Sequence, residues 1–245
     1  MYLVLGEKPS VAQALAKVLG AKKREDGYFE GNGWLVSWCL GHLAEYVSPE
    51  VYDERYQKWE FSDLPIFPEV WQLAIAKDKK EQFHVLKKLL NRDDVEYVVN
   101  GCDAGREGEL IFKRVYDLSG SRLPVKRLWI SSMEDAAIRE GFAHLRDSAE
   151  YENLCEASVC RAKADWLIGM NATRAFTTKY YNRLVVGRVQ TPTLAMLVER
   201  DSQINHFQKE AYYNVHLDCN GLEVIKEKIF DKAEADRLKA ACNGA

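Results

Sequence analysis

Apolar positions over the first 145 residues fall into short runs separated by amphipathic stretches. The runs YLVLG (2–6), WLVSWCL (34–40), VEYVV (Val95 to Val99) and KRLWI (126–130) predict strands. Three-to-four spacing predicts helices over Val11 to Leu19, Lys77 to Leu90 and Glu134 to Leu145, with another starting at about Glu107. Strands and helices in alternation predict an α/β fold with a largely parallel sheet flanked by helices. Between residues 46 and 76 the pattern breaks, with Pro49, Pro65 and Pro68 among Tyr52, Tyr56, Trp59, Phe61 and Trp71. That aromatic content predicts a packed segment.

Near residue 148 the pattern changes. Ala149 to about Phe176 has neither strand signal nor Pro, and reads as long helical sequence. Val159, Ala162, Trp166 and Met170 share one face, while Arg161 and Asp165, four apart, share a face roughly opposite. A further helix is expected from Thr191 to Ile204, with Pro192 in its first turn. Val215, Leu217 and Cys219 then alternate into Asn220-Gly221, a β-hairpin signal, and Asp231 to Cys242 reads as a helix. One hairpin and one helix bury little surface, so residues 206–245 are expected to open a larger domain.

Composition narrows the class. No apolar run among the 245 residues approaches the roughly 20 of a membrane span, and MYLVLGEKPS has neither a basic lead nor a cleavage site, so a cytoplasmic protein is expected. The six cysteines include no C-x-x-C pair, which excludes a zinc-knuckle or redox-motif signal. A net charge of −3 argues against a generally basic nucleic-acid binder. Locally the balance reverses: from Ser158 to Gln190, Arg161, Lys163, Arg174, Lys179, Arg183 and Arg188 face a single acid, Asp165. Such a stripe reads either as a solvated face or as a nucleic-acid track, and Phe176, Tyr180 and Tyr181 supply rings that either stack on bases or pack.

Candidate chemistry lies at two strand ends, where open α/β sheets gather their ligands. Glu7 follows YLVLG, and Asp103 follows VEYVVNGC within GCDAGREGELI. If the two strands are neighbours, Glu7 and Asp103 converge, with Lys8 as a cation beside them and Glu107 and Glu109 starting the next helix. A hard cation suits a few carboxylates with room for waters and phosphate oxygens. The local pattern also reads more plainly, with Asp103 as a helix N-cap and the two glutamates as favourable first-turn charges.

Five blocks in order resemble the type IA DNA topoisomerases, most closely the bacterial topoisomerase III branch. They are LGEKPSVAQALA (5–16), GHLAEYVSPEVYDERYQKW (41–59), DAGREGELIF (103–112), RAKADWLIGMNATRAFT (161–177) and GRVQTPTLAMLVERD (187–201). The resemblance implies a Toprim domain over 1–148, the first part of a helical single-strand DNA-binding domain over 149–205, and the opening of an arch domain over 206–245. It implies Glu7, Lys8 and Arg106 as catalytic residues, and Mg²⁺ held by Glu7, Asp103 and Glu107. Arg161, Lys163, Asp165, Arg174, Arg188, Gln190 and Thr191 are implied along the DNA path. The family's Asp-x-Asp-x-x-Gly-Glu motif has Gly105 in place of its second acid here, a gap for Glu107 or a water to fill.

The family nucleophile is a tyrosine in a Tyr-x-Arg-Thr context, which none of the 12 tyrosines has. This chain is therefore expected to bind single-stranded DNA and metal without cleaving, as part of an ATP-independent enzyme that forms a 5′-phosphotyrosine link. A helicase partner, a monomeric state and a cytoplasmic, nucleoid-associated location complete the expectation. A Toprim-type primase or nuclease and a non-catalytic single-strand-binding module are the alternatives; neither explains all five blocks.

Overall fold

The computed structural model describes residues 1–243, which fall into two compact units, the first being Met1–Arg188 and the second beginning at Val189. The first unit opens with β1 (Tyr2–Gly6) and α1 (Pro9–Leu19), followed by β2 (Lys23–Glu25), β3 (Tyr28–Gly31) and β4 (Trp34–Trp38). A segment with β5 (Ala44–Tyr46), α2 (Pro49–Tyr52) and β6 (Leu73–Ile75) leads to α3 (Lys80–Leu90), β7 (Tyr97–Gly101) and α4 (Arg106–Ser119). The chain continues through β8 (Val125–Arg127), α5 (Asp135–Ala143) and β9 (Arg146–Asp147) into α6 (Glu152–Tyr180).

One seven-stranded sheet runs β2-β3-β4-β1-β7-β8-β9. Its four central strands, β4, β1, β7 and β8, are parallel, and its edges are antiparallel. The apolar runs predict this centre because β4, β1 and β7 are buried on both faces. Leu3, Leu5 and Val98 meet Leu86, Ile111 and Val115 of α3 and α4 on one side. Val4, Val36 and Val99 meet Ala12, Leu15 and Ile138 of α1 and α5 on the other.

Strand ends differ in detail from the periodic reading. β7 starts at Tyr97 rather than Val95 and extends through Asn100 and Gly101, since the Asn100 side chain finds buried partners. β4 stops at Trp38 because Leu40 and Gly41 turn with φ of 51° and 66°. The β2–β3 hairpin turns at Asp26-Gly27, where Gly27 has φ of 82°. Its charged Lys23-Arg24-Glu25 edge gave no apolar alternation to detect.

The aromatic segment 46–76 packs as predicted, and its partner is α6. Tyr56, Ile66 and Trp166 form a third core with Tyr46, Tyr52, Trp71 and Met170 around them. The Trp166 indole donates to the Val47 carbonyl at 3.0 Å, and Asn171 closes on Ile66, accepting from its N–H at 2.5 Å and donating to its carbonyl at 3.0 Å. These contacts join α6 to the rest of the first unit.

In the second unit, α7 (Gln190–Asn205) exposes all of its residues. β10 (Tyr213–Cys219) and β11 (Leu222–Ile229) form the hairpin, turning at Asn220-Gly221 with φ of 54° and 88°. These are the left-handed values an Asn-Gly turn supplies. α8 (Lys232–Cys242) follows, with Ala235 buried.

Trp166 places a large buried ring and a satisfied N–H between α6 and segment 46–76. Trp166→Ala should lower unfolding free energy by about 3–5 kcal/mol in urea titration; an unchanged midpoint would show that this aromatic core contributes little.

Candidate metal and nucleic-acid site

β1 and β7 are adjacent and parallel, with Gly6 opposite Gly101. Glu7 and Asp103 therefore leave the sheet from the carboxyl ends of neighbouring strands. Glu7 is buried and Lys8 exposed, the ammonium 3.6 Å from a Glu7 carboxylate oxygen. The turn after β4 wraps this end: Cys39 N–H donates to the Gly6 carbonyl at 2.9 Å and Gly41 N–H to the Glu7 carbonyl at 3.0 Å. The same turn delivers His42 to the site.

Beneath the Asp103 loop lies a buried polar network. Arg127, fully buried on β8, donates to the carbonyls of Asn100 (3.0 Å), Cys102 (2.7 Å), Leu128 (2.7 Å) and Asp103 (2.8 Å), and to a Glu109 carboxylate oxygen (2.6 Å). Asn100 donates to the other Glu109 oxygen at 3.1 Å and accepts from Cys102 N–H at 3.1 Å. Burial raises the Glu109 carboxyl above its ordinary range, and Arg127 and Asn100 draw it partly back. The Cys102 thiol is pushed well up by its hydrogen bond to Cys39 and by burial, and the nearby Glu7 charge adds to the rise. Glu109 is thus a structural ion-pair partner, while Asp103 and Glu107 remain exposed.

Two glycines shape the loop differently. A Cβ on Gly108 would lie 2.1 Å from the Asp103 carbonyl oxygen, so close approach of α4 to the loop excludes a side chain there. Gly105 is extended, with φ of 173°, and a Cβ there would meet nothing within 4 Å. Gly105, with no side-chain hydrogen bond, is the N-cap of α4. Asp103 is therefore not serving as the helix cap that the plainer reading offered.

Helix α6 brings the second half of the site. The Ser158 hydroxyl donates to the Arg106 carbonyl at 2.5 Å, fastening α6 to the first turn of α4. Asp165, Gly169, Thr173 and Thr177, spaced by four, form one ridge of α6. Thr173 exchanges hydrogen bonds with Val186 (2.9 and 3.2 Å), and Thr177 accepts from Leu184 N–H at 3.1 Å. The returning chain therefore runs back along α6 and sets Arg188 2.5 Å from Asp165.

The exposed cluster at the head of α4 joins both halves. Glu107 lies 2.9 Å from His42 Nε2 and 3.8 Å from Arg161, and Arg161 lies 3.7 Å from Asp165. His42, Glu107, Ser158, Arg161 and Asp165 line a cleft of about 330 Å³.

Other residues of the predicted set sit elsewhere. Arg106 is exposed on the first turn of α4. Lys163 lies over the Trp71 ring at 5.6 Å. Arg174 is buried, donating to the Tyr56 carbonyl at 2.8 Å, 3.6 Å from Glu50 and over the Trp59 ring. Gln190 and Thr191 open α7 in the second unit, where both are exposed.

His42 and the Arg127–Glu109–Asn100 network were not singled out from sequence. The signals were present: a Gly-His pair directly after a strand, and an arginine inside an apolar strand run, which must find buried partners.

Among the described residues, no three His, Cys, Asp or Glu side chains stand grouped to enclose a metal. The donors at the strand ends are carboxylates. One or two of these, completed by waters and phosphate oxygens, suit a small hard cation better than an all-protein cage.

Comparison with known proteins adds independent findings. The family model described as Toprim domain matches residues 2–133, and the one described as DNA topoisomerase matches residues 149–245. The chain is 48% identical over 220 residues to DNA topoisomerase 3 of Bacillus subtilis (strain 168), covering 90% of this chain and 30% of that protein. It is 43% identical over 244 residues to DNA topoisomerase 3 of Shouchella clausii (strain KSM-K16), covering 96% and 34%. The chain thus spans about a third of the length of these curated relatives. Its fold is similar to that of full-length topoisomerase I from Thermotoga maritima, with a TM-score of 0.62 at 21% identity over 97% of this chain and 37% of that one.

The two glycines predict opposite responses. Gly108→Ala should destabilise by about 1–3 kcal/mol through overpacking, whereas Gly105→Ala should stabilise by about 0.4–1 kcal/mol by restricting the unfolded chain. Urea unfolding of both variants checks this; equal effects would contradict the loop geometry.

Proposed function

The chain belongs to the type IA DNA topoisomerase family, bearing its Toprim domain, and on that basis we propose that it forms the metal- and DNA-binding side of a strand-passing reaction. In this reading a tyrosine outside these residues attacks a DNA phosphodiester. A 5′-phosphotyrosine link forms, a 3′-hydroxyl leaves, and the hydroxyl reattacks after another strand has passed. The link conserves the energy of the broken bond, so no ATP is consumed.

The adjacency of β1 and β7 supports this assignment, since it brings the Glu7 and Asp103 backbones out at one edge. Glu7 moves the proton at the 3′ oxygen, and Lys8 steadies the phosphate beside it. Arg106, exposed at the start of α4, faces solvent where a phosphate can approach the helix N-terminus.

Toprim domains generally bind metal, and Mg²⁺ is the proposed ion here; Asp103 with one of Glu7 and Glu107 would hold it, waters and phosphate oxygens completing its shell. When bound it would neutralise phosphate charge and help place the 3′ end for resealing. Arg161 and Arg188 hold the backbone of a single strand, with Lys163 and Asp165 along its path in the first unit; Gln190 and Thr191 are DNA contacts of the second unit, taken by itself. Arg174 acts from the core beneath that path. Single-stranded DNA as substrate, a helicase partner, a monomeric state and a cytoplasmic, nucleoid-associated location belong to the same proposal. Among the described residues, no helix is long and apolar enough to cross a membrane.

Glu7→Gln in the complete enzyme should abolish relaxation of negatively supercoiled plasmid, and undiminished relaxation would remove Glu7 from the proton transfer. The 245-residue chain should bind an oligodeoxynucleotide with affinity that falls steeply with salt and should yield no covalent adduct. A labelled adduct on denaturing gel would place a nucleophile within this chain.

A further inference from the structure

Five side chains from four parts of the first unit form one line of contacts. Arg188 lies 2.5 Å from Asp165, Asp165 3.7 Å from Arg161, Arg161 3.8 Å from Glu107, and Glu107 2.9 Å from His42. Acid and nitrogen base alternate, so each carboxylate is shared between two partners. All five side chains are between 36% and 50% exposed. A pair held so openly shifts an equilibrium by only about two- to five-fold, which makes the line easy to exchange for a stronger partner. A phosphodiester is such a partner, because its two free oxygens match the guanidinium fork as a carboxylate does.

On the metal- and DNA-binding reading above, we propose that this line couples the two ligands: single-stranded DNA takes Arg161 and Arg188 through its phosphates and thereby releases Glu107 to a divalent cation. Without DNA, Arg161 competes with the cation for the Glu107 carboxylate. Coupling of this kind is reciprocal, so the cation strengthens DNA binding by the same factor. The return segment is part of the device, since the Thr173 and Thr177 contacts hold Arg188 against Asp165. A phosphate that draws off Arg188 leaves Asp165 free to take more of Arg161, which further loosens Glu107.

Mn²⁺ binding to the 245-residue chain, read from loss of the free-ion EPR signal, tests this with and without an oligothymidylate. The unsubstituted chain should bind Mn²⁺ about five-fold more tightly with the DNA. Arg161→Gln without DNA should match that tighter affinity within about two-fold, and DNA should then add little. Direct bridging of Mn²⁺ by phosphate would also tighten binding, but would leave Arg161→Gln unchanged without DNA, and that result would overturn the proposal.

Lys79, whose ammonium donates to the His42 carbonyl at 2.8 Å, provides a control for bare charge. Lys79→Gln should leave Mn²⁺ affinity unchanged, whereas tightening equal to that of Arg161→Gln would reduce the effect to a general field and defeat the exchange. Asp103→Asn separates the layers. Undiminished Mn²⁺ binding by it removes the metal reading and the coupling together, and Asp103-dependent binding indifferent to Arg161→Gln removes the coupling alone.

Discussion

A guanidinium with no solvent exposure, Arg127, meets four backbone carbonyls and one carboxylate in the layer directly under the loop that carries Asp103. Taking both charges from water costs several kcal/mol per ion, and their mutual attraction alone does not guarantee a net gain. The arrangement's value is geometric. Leaving β7, the chain must turn with its carbonyls pointing inward, where no water reaches them. An unsatisfied buried carbonyl costs about 1–3 kcal/mol, so the Cys102 and Asp103 carbonyls would not tolerate an apolar residue at 127 without the loop moving. Loop position and core chemistry are one problem here, solved by one side chain on the neighbouring strand.

The upper half of the site is built differently. None of Arg161, Asp165, Glu107 and His42 is itself deeply buried, and each contact taken singly is weak. What fixes them is the scaffold behind: Trp166 and Asn171 lock α6 to segment 46–76, and Ser158 pins α6 to α4. A stiff frame therefore carries a soft set of charges. A surface of this kind keeps its positions while its partners change.

Much of the frame was legible in the sequence because burial on both faces leaves a plain apolar signature. Leu3, Leu5, Val98 and Val99 announce central strands, and the two candidate acids follow them directly. The unread parts are those held by polar atoms. Asn100 prolongs β7 through its amide, and Arg127 sits in a strand run that hydropathy alone makes a poor fit. The short β5–β6 pairing joins residues almost 30 positions apart, which local periodicity cannot connect. The change of pattern near residue 148 is real as sequence, yet α6 packs into the first compact unit, which continues to Arg188. Contacts through Trp166, Asn171 and Arg174 cause this, and each depends on residues more than a hundred positions away.

Gly105 bears on how such a site diversifies. Its backbone is of a kind any amino acid adopts, and the space beside it is vacant, whereas Gly108 three residues on is sterically obligatory. An acid can be gained or lost at 105 by a single substitution with no compensating repacking. The number of carboxylates carried by this loop is thus a setting independent of the architecture that holds it.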